Sequence, residues 1–104
     1  MDFSTLDRQL QHSLQKSKVH IRVQQRNGRK CITSIEGLDD DLDQKRICKH
    51  MRRLFNCNGN VVNDEDRGEV IQLQGDQREN VRAFLLEQTV IEPHEKDRIV
   101  VHGF

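Results

Sequence analysis

Apolar and polar residues alternate from Val19 to Gln24, with Val19, Ile21 and Val23 on one side and His20, Arg22 and Gln24 on the other. That period of two predicts a half-buried strand. Asn27-Gly28 follows as a turn signal, and Ile32 and Ile35 belong to the returning strand. A strict two-residue turn would pair Val23 with Ile32 and place Ile35 on the opposite face from Val19, Ile21 and Val23. Either the second strand carries a bulge, or the loop is longer and Arg26 to Lys30 protrude as a basic finger. The pattern leaves both open.

The period changes between Asp43 and Phe55, where Ile47, Cys48, Met51, Leu54 and Phe55 fall on one face of an amphipathic helix and Lys45, Lys49, Arg52 and Arg53 project elsewhere. Asn58-Gly59 breaks the chain, Val61 and Val62 predict a short strand, and Asp64 to Gly68 form an acidic loop leading into a strand over Glu69 to Gln74. Gly75 permits a sharp turn. Asp76, with Glu79 three residues later, reads as a capping pair that starts a second helix directly after the turn at Gly75, Asp76 and Gln77. Val81, Phe84 and Leu85 face the core from that helix, Pro93 lies in the next connection, and Ile99, Val100 and Val101 supply the last strand. Before Val19, Leu6, Leu10 and Leu14 recur at four-residue spacing, but the segment rich in Gln, Ser and charge is expected to be a frayed arm.

The order strand, strand, helix, strand, strand, helix, strand predicts an α+β two-layer sandwich, with a mixed sheet of about five strands and both helices packed on one face. Residues 1–18 are expected to be a flexible arm and 19–104 the folded domain. At 104 residues the core is modest, so a deep enclosed chamber is not expected. No apolar run approaches the roughly 20 residues that span a bilayer, and no signal-peptide core follows Met1, which points to a soluble, cytoplasmic protein. Cys31, Cys48 and Cys57 form an odd set without a CxxC pair, which suits a reducing compartment.

Charge adds information through its distribution. The 17 basic and 17 acidic side chains cancel, which excludes a uniformly basic polyanion binder. They are nevertheless clustered. Arg22, Arg26, Arg29 and Lys30 crowd the first hairpin, and Lys45, Arg46, Lys49, Arg52 and Arg53 crowd the first helix. Glu36, Asp39, Asp40, Asp41 and Asp43 lie between, and Asp64, Glu65, Asp66 and Glu69 form a second acidic group. A chain lobed in this way can hold a polyanion on one side and repel it on another.

Catalytic chemistry is not expected. There is no phosphate-binding loop of the Walker type, no nucleophile elbow, and no histidine spaced with Ser, Cys or Asp in a catalytic motif. Asp76 is the most enzyme-like carboxylate, and capping accounts for it. Cys48, His50 and Cys57 match no common zinc spacing, so neither metal nor cofactor is expected. With four Phe and no Trp or Tyr, base stacking is a poor mechanism, and recognition of folded RNA by its backbone or shape is better supported.

Four stretches occur together and in order: Gln24-Gln25-Arg26-Asn27-Gly28-Arg29-Lys30, Cys57-Asn58-Gly59-Asn60, the run Glu-Val-Ile-Gln-Leu-Gln-Gly-Asp-Gln-Arg-Glu from Glu69 to Glu79, and Val101-His102-Gly103-Phe104. In this the chain resembles the eukaryotic translation initiation factor 1 family, which polices start-codon choice. The resemblance implies the same α+β fold and no enzymatic activity. It also implies a surface for small-subunit ribosomal RNA near the P site, carried by Arg26, Asn27, Gly28, Arg29 and Lys30 of the loop and Lys45, Lys49, Arg52 and Arg53 of the helix.

By the same resemblance, the loop from Asn63 to Gly68, with Asp64, Glu65, Asp66 and Arg67, would lie beside initiator tRNA and oppose its premature seating. The Pro common there in the family is absent, and Arg67 stands where a bulky uncharged residue is usual. Implied partners are the small ribosomal subunit, initiator tRNA and mRNA in proximity, and initiation factors 1A, 2, 3 and 5, with a monomeric free protein. Two alternatives are a protein-interaction module that binds other initiation factors without ribosome contact, and a paralogous domain of the density-regulated protein type. The lack of a further domain before Val19 and the ending at His-Gly-Phe favour the factor 1 reading.

Overall fold

The structure is a computed structural model that describes residues 18–39 and 41–103. The arm expected at residues 1–18, with Leu6, Leu10 and Leu14, lies almost wholly outside them. In chain order the elements are β1 (Val19–Gln25), β2 (Cys31–Glu36), α1 (Gln44–Phe55), β3 (Gly59–Asp64), β4 (Gly68–Gln74), α2 (Arg78–Glu87), a kinked 3-10 segment (Pro93–Arg98) and β5 (Ile99–Val101). The strands form one sheet in the order β3-β4-β2-β1-β5. Every neighbouring pair is antiparallel except β1 and β5, which run parallel. The sheet is therefore mixed, as expected.

Alternation decides which face is covered. Val19 and Ile21 of β1, Ile35 of β2, and Ile71 and Leu73 of β4 point to one side and are buried against Cys48 and Met51 of α1 and Val81, Phe84 and Leu85 of α2. Leu38 and Ile91, from the connections, close the same core. Phe55 of α1 meets Phe84 of α2 edge-on, with ring centroids 6.2 Å apart. Burying each aliphatic side chain of this kind contributes about 1.5–3 kcal/mol, and both helices depend on it because neither is long enough to be stable alone. Among the described residues no element covers the opposite face of the sheet.

The register resolves the ambiguity of the first hairpin. Val23 pairs with Thr33, Gln24 with Ile32 and Gln25 with Cys31. The Arg26 N–H then donates to the Lys30 carbonyl at 2.7 Å, and the Lys30 N–H to the Asn27 carbonyl at 3.1 Å. Asn27, Gly28 and Arg29 thus form a loop one residue longer than a strict Asn-Gly turn. The extra residue shifts the register so that Ile35 joins Val19, Ile21 and Val23 on the core face.

Several boundaries differ from expectation. α1 itself ends at Phe55 as expected, and the left-handed conformation of Asn56 (φ 52°) then lets the Cys57 N–H reach back to the Arg52 carbonyl at 3.1 Å. Leu54, expected on the apolar face, is 63% exposed; at the border of that face, it turns outward while Met51 is fully buried. β3 extends over six residues, well beyond Val61 and Val62, because β4 is long enough to pair with all of it. The connection after Pro93 contains 3-10 turns, for which the sequence carries no strong period.

The start of α2 is also different. Gln77 occupies the N-cap position and makes no side-chain capping bond. Asp76 is one residue too early to cap: its Oδ1 accepts from the Arg78 N–H at 3.3 Å, and the carboxylate is gripped by the Arg78 guanidinium through bonds of 2.8 and 2.7 Å. The chain can bend so abruptly because Gly75 has φ +87°, a conformation that side chains disfavour. Thr33 secures the bend from the neighbouring strand.

Candidate nucleic-acid interface

The ladder places the charged elements at two ends of the sheet. At one end lie the β1–β2 loop, the Gly75 turn and the C-terminus of α1. The Gly75 N–H donates to the Cys31 carbonyl, and the Gln74 N–H to the Asn58 carbonyl, each at 2.8 Å, tying the three together. At the other end lie the β3–β4 turn and the N-terminus of α1.

Arg26, Asn27, Gly28, Arg29 and Lys30 are all exposed. The loop is braced from within by the Gln25 side-chain amide, which donates to the Gly28 carbonyl at 2.8 Å, and Gly28 takes the φ of +62° that the turn needs. Between the loop and the Gly75 turn runs an open groove of about 480 Å³, lined by Arg26, Arg29, Lys30 and Ile32 from the hairpin and by Gln74 and Gly75. A groove with three cationic rims and no aromatic rings suits a phosphate backbone better than stacked bases.

On α1, Asp43 caps the helix by accepting from the Arg46 N–H at 3.2 Å. Lys45, Lys49, Arg52 and Arg53 are exposed, and the spacing of Lys45, Lys49 and Arg52 puts these three on one flank. Arg52 and Arg53 sit in the last turn, where the negative end of the helix dipole also favours them. These two share an end of the molecule with the basic loop. Lys45 does not. About 10 Å back along the helix axis, it borders a groove with Asp43, Asn63 and Glu69 at the acidic end.

The β3–β4 turn is tight. Asp64 pairs with Gly68, and only Glu65, Asp66 and Arg67 lie between them. The Asp64 carboxylate accepts from the N–H groups of Asp66 at 2.9 Å and Arg67 at 3.1 Å, so it shapes the turn from inside, while Glu65 and Asp66 are exposed. Arg67 turns back onto the open sheet face, its Nε 3.3 Å from Glu36 Oε2.

At Gly75, Asp76 and Gln77 the interactions are structural. Hydrogen bonds from Arg78 hold the Asp76 carboxyl below the usual carboxylate range, and Asp76 holds the Arg78 guanidinium above its ordinary value. Arg78 Nη1 also donates to the His102 carbonyl at 3.1 Å, fastening the end of the chain to the start of α2. Arg78, Glu36 and the His20–His102 ring pair escaped sequence reasoning, since their partners are distant in the chain and no local period marks them. Burial pushes the thiols of Cys48 and Cys57 up, against the pull of nearby Arg52. Among the described residues no group of three His, Cys, Asp or Glu could hold a metal ion, and no helix is long and apolar enough to cross a membrane.

Comparison with known proteins bears on the family and the fold. The family model for translation initiation factor SUI1 matches residues 15–91. The chain is 52% identical over 86 residues to protein translation factor SUI1 of Eremothecium gossypii, covering 83% of this chain and 77% of that protein. It is 51% identical over 88 residues to the Schizosaccharomyces pombe factor, covering 85% and 78%. Against eukaryotic translation initiation factor 1 of Mus musculus it is 50% identical over 86 residues, covering 83% and 74%. Among solved structures, the C-terminal domain of human eIF2D superposes with a TM-score of 0.67 at 18% identity, over 86% of this chain and 43% of that one, a likeness of fold. A family match across most of the sheet and both helices, with half of the residues identical over more than four-fifths of the chain, establishes that the protein belongs to the SUI1 family of translation initiation factors.

Proposed function

We propose that this initiation factor binds the small ribosomal subunit near the P site, without catalysing a reaction, and enforces start-codon fidelity by opposing premature seating of initiator tRNA. The observation that carries the reading is the placement of Arg26, Arg29 and Lys30 at the same end of the sheet as Arg52 and Arg53, with the acidic β3–β4 turn at the other. The basic end is the anchor and contacts ribosomal RNA phosphates. The acidic end, with Glu65 and Asp66 outermost, repels the tRNA backbone as it settles. Fidelity then follows from differential binding: the factor prefers the open, scanning subunit, so a correct codon–anticodon pairing that favours the closed state expels it. Initiation factors 1A, 2, 3 and 5 are the accompanying partners, mRNA lies nearby, and the free protein acts as a cytoplasmic monomer.

The test is binding of labelled protein to purified small subunits across a salt series, with the Arg26→Glu, Lys30→Glu double variant alongside. Tight binding that weakens steeply with salt, and that the double variant loses, is expected. A folded wild-type protein that does not bind would overturn the reading in favour of a module that contacts other factors alone.

A further inference from the structure

Glu36 is the last residue of β2, and its side chain is only 10% exposed on the open face of the sheet. A carboxylate in that position needs partners, because burying an unpaired charge is costly. It has two. Arg22 Nε of β1 lies 2.5 Å from Oε1, and Arg67 Nε of the β3–β4 turn lies 3.3 Å from Oε2. Arg22 is the adjacent-strand partner, whereas Arg67 reaches in from a turn 31 positions along the chain. The turn leans over the sheet face accordingly: Asp66 and Arg67 border the same groove as Arg22, Ser34 and Val70.

The charge seen by a molecule approaching the turn depends on this contact. Asp64 is occupied with the turn N–H groups, and the Arg67 guanidinium is drawn back onto Glu36, which leaves Glu65 and Asp66 as the forward charges. Released from Glu36, Arg67 would sit among those acids and cancel one of them. The geometry points to Glu36 as a specificity-determining residue: by tethering Arg67 to the sheet it keeps the forward face of the β3–β4 turn acidic, and thereby sustains discrimination against seating of initiator tRNA at a wrong codon. This inference rests on the proposed function, in which that turn faces initiator tRNA.

The experiment compares full-length wild type, Glu36→Gln, Arg67→Met and the Glu36→Gln, Arg67→Met double variant in reconstituted initiation, scoring the ratio of initiation at AUG to that at a near-cognate codon. Glu36→Gln should lower the ratio by about threefold, the effect of one added positive charge at water-screened range, with small-subunit binding close to wild type. Arg67→Met is the reference for the double variant, whose ratio should match it, since neither retains an arginine to be released. Unchanged discrimination in Glu36→Gln, or a double variant that falls below Arg67→Met as far as Glu36→Gln falls below wild type, would overturn the proposal.

A second readout separates this proposal from the function on which it rests. In the free protein, the Arg67 Nε–H resonance should shift in Glu36→Gln; a resonance that does not move overturns the tether whatever the protein does on the ribosome. If wild type has no influence on codon choice, the proposed function fails and the role of Glu36 fails with it.

Discussion

The Thr33 hydroxyl accepts a hydrogen bond from the Gln77 N–H at 2.8 Å while donating its own proton to the Gly75 carbonyl at 2.7 Å, although Thr33 and Gln77 are 44 positions apart. The Thr33 side chain is fully buried on the core face of β2, so one oxygen serves both backbone groups of the turn that leads into α2. Thr33→Val keeps the shape and removes that oxygen, leaving a donor and an acceptor without partners. It should destabilise the fold by about 1–3 kcal/mol, and Thr33→Ser by clearly less, as read from denaturant unfolding midpoints.

The C-terminal segment should respond to pH. His20 Nδ1 and His102 Nε2 are 2.9 Å apart in rings stacked at 5.1 Å, and the His102 pKa lies below the ordinary imidazole value through desolvation, then Arg22 and His20, against a smaller opposing pull from Glu36. The folded state therefore favours neutral His102. The stability this contributes is present above the unfolded value of about 6.5 and is lost as pH falls through the lower folded one. Thermal unfolding should show a drop in Tm between neutral and mildly acidic buffer that is shallower in His102→Gln. Equal slopes would mean that other groups dominate.

Helix α1 offers a direct check of its orientation. Met51 is fully buried, and Met51→Ala should cost about 2–5 kcal/mol. Leu54, 63% exposed, should accept Lys within about 0.5 kcal/mol. Urea titrations of the two variants would reveal a loss at Leu54 comparable to that at Met51 if α1 were rotated.

The basic residues of α1 should not be equivalent on the ribosome. Arg52 shares an end with the Arg26–Lys30 loop, whereas Lys45 lies beside Glu69 and Asn63. Arg52→Glu should weaken small-subunit binding and flatten its salt dependence by about one unit of log-log slope for each phosphate it no longer neutralises, with Lys45→Glu having the smaller effect. A salt series on both variants decides it; a larger effect at Lys45 would move the anchor toward the acidic end.

How much of this was legible in the sequence depends on how far apart the interacting residues are. The strands and helices follow from alternation and helical spacing, which are local: Val19, Ile21 and Val23, or Val81, Phe84 and Leu85, announce their faces without knowledge of partners. The charged lobes were legible too, and the register then sorts them, taking Lys45 away from the group that spacing alone would give it. Turn detail was not. The third loop residue at Arg29, the αL stop at Asn56 and the displaced start of α2 after Gln77 each depend on hydrogen bonds that compete with the commonest local motif. Least legible of all was Glu36, an ordinary polar position in β2 until Arg22 and Arg67 arrive from 14 and 31 residues away.

Strand β4 runs without interruption from the acidic turn at Gly68 to the bend at Gly75, and its seven residues span about 23 Å. That length is a fixed gauge. A strand paired on both sides can be neither stretched nor shortened by one residue without exchanging its inward and outward side chains, so the interval between the two charged ends is set by the same hydrogen bonds that hold the core. Any assembly that engages both ends at once must hold its own two contact points at that separation, and an assembly whose contact points move closer together can keep only one of them.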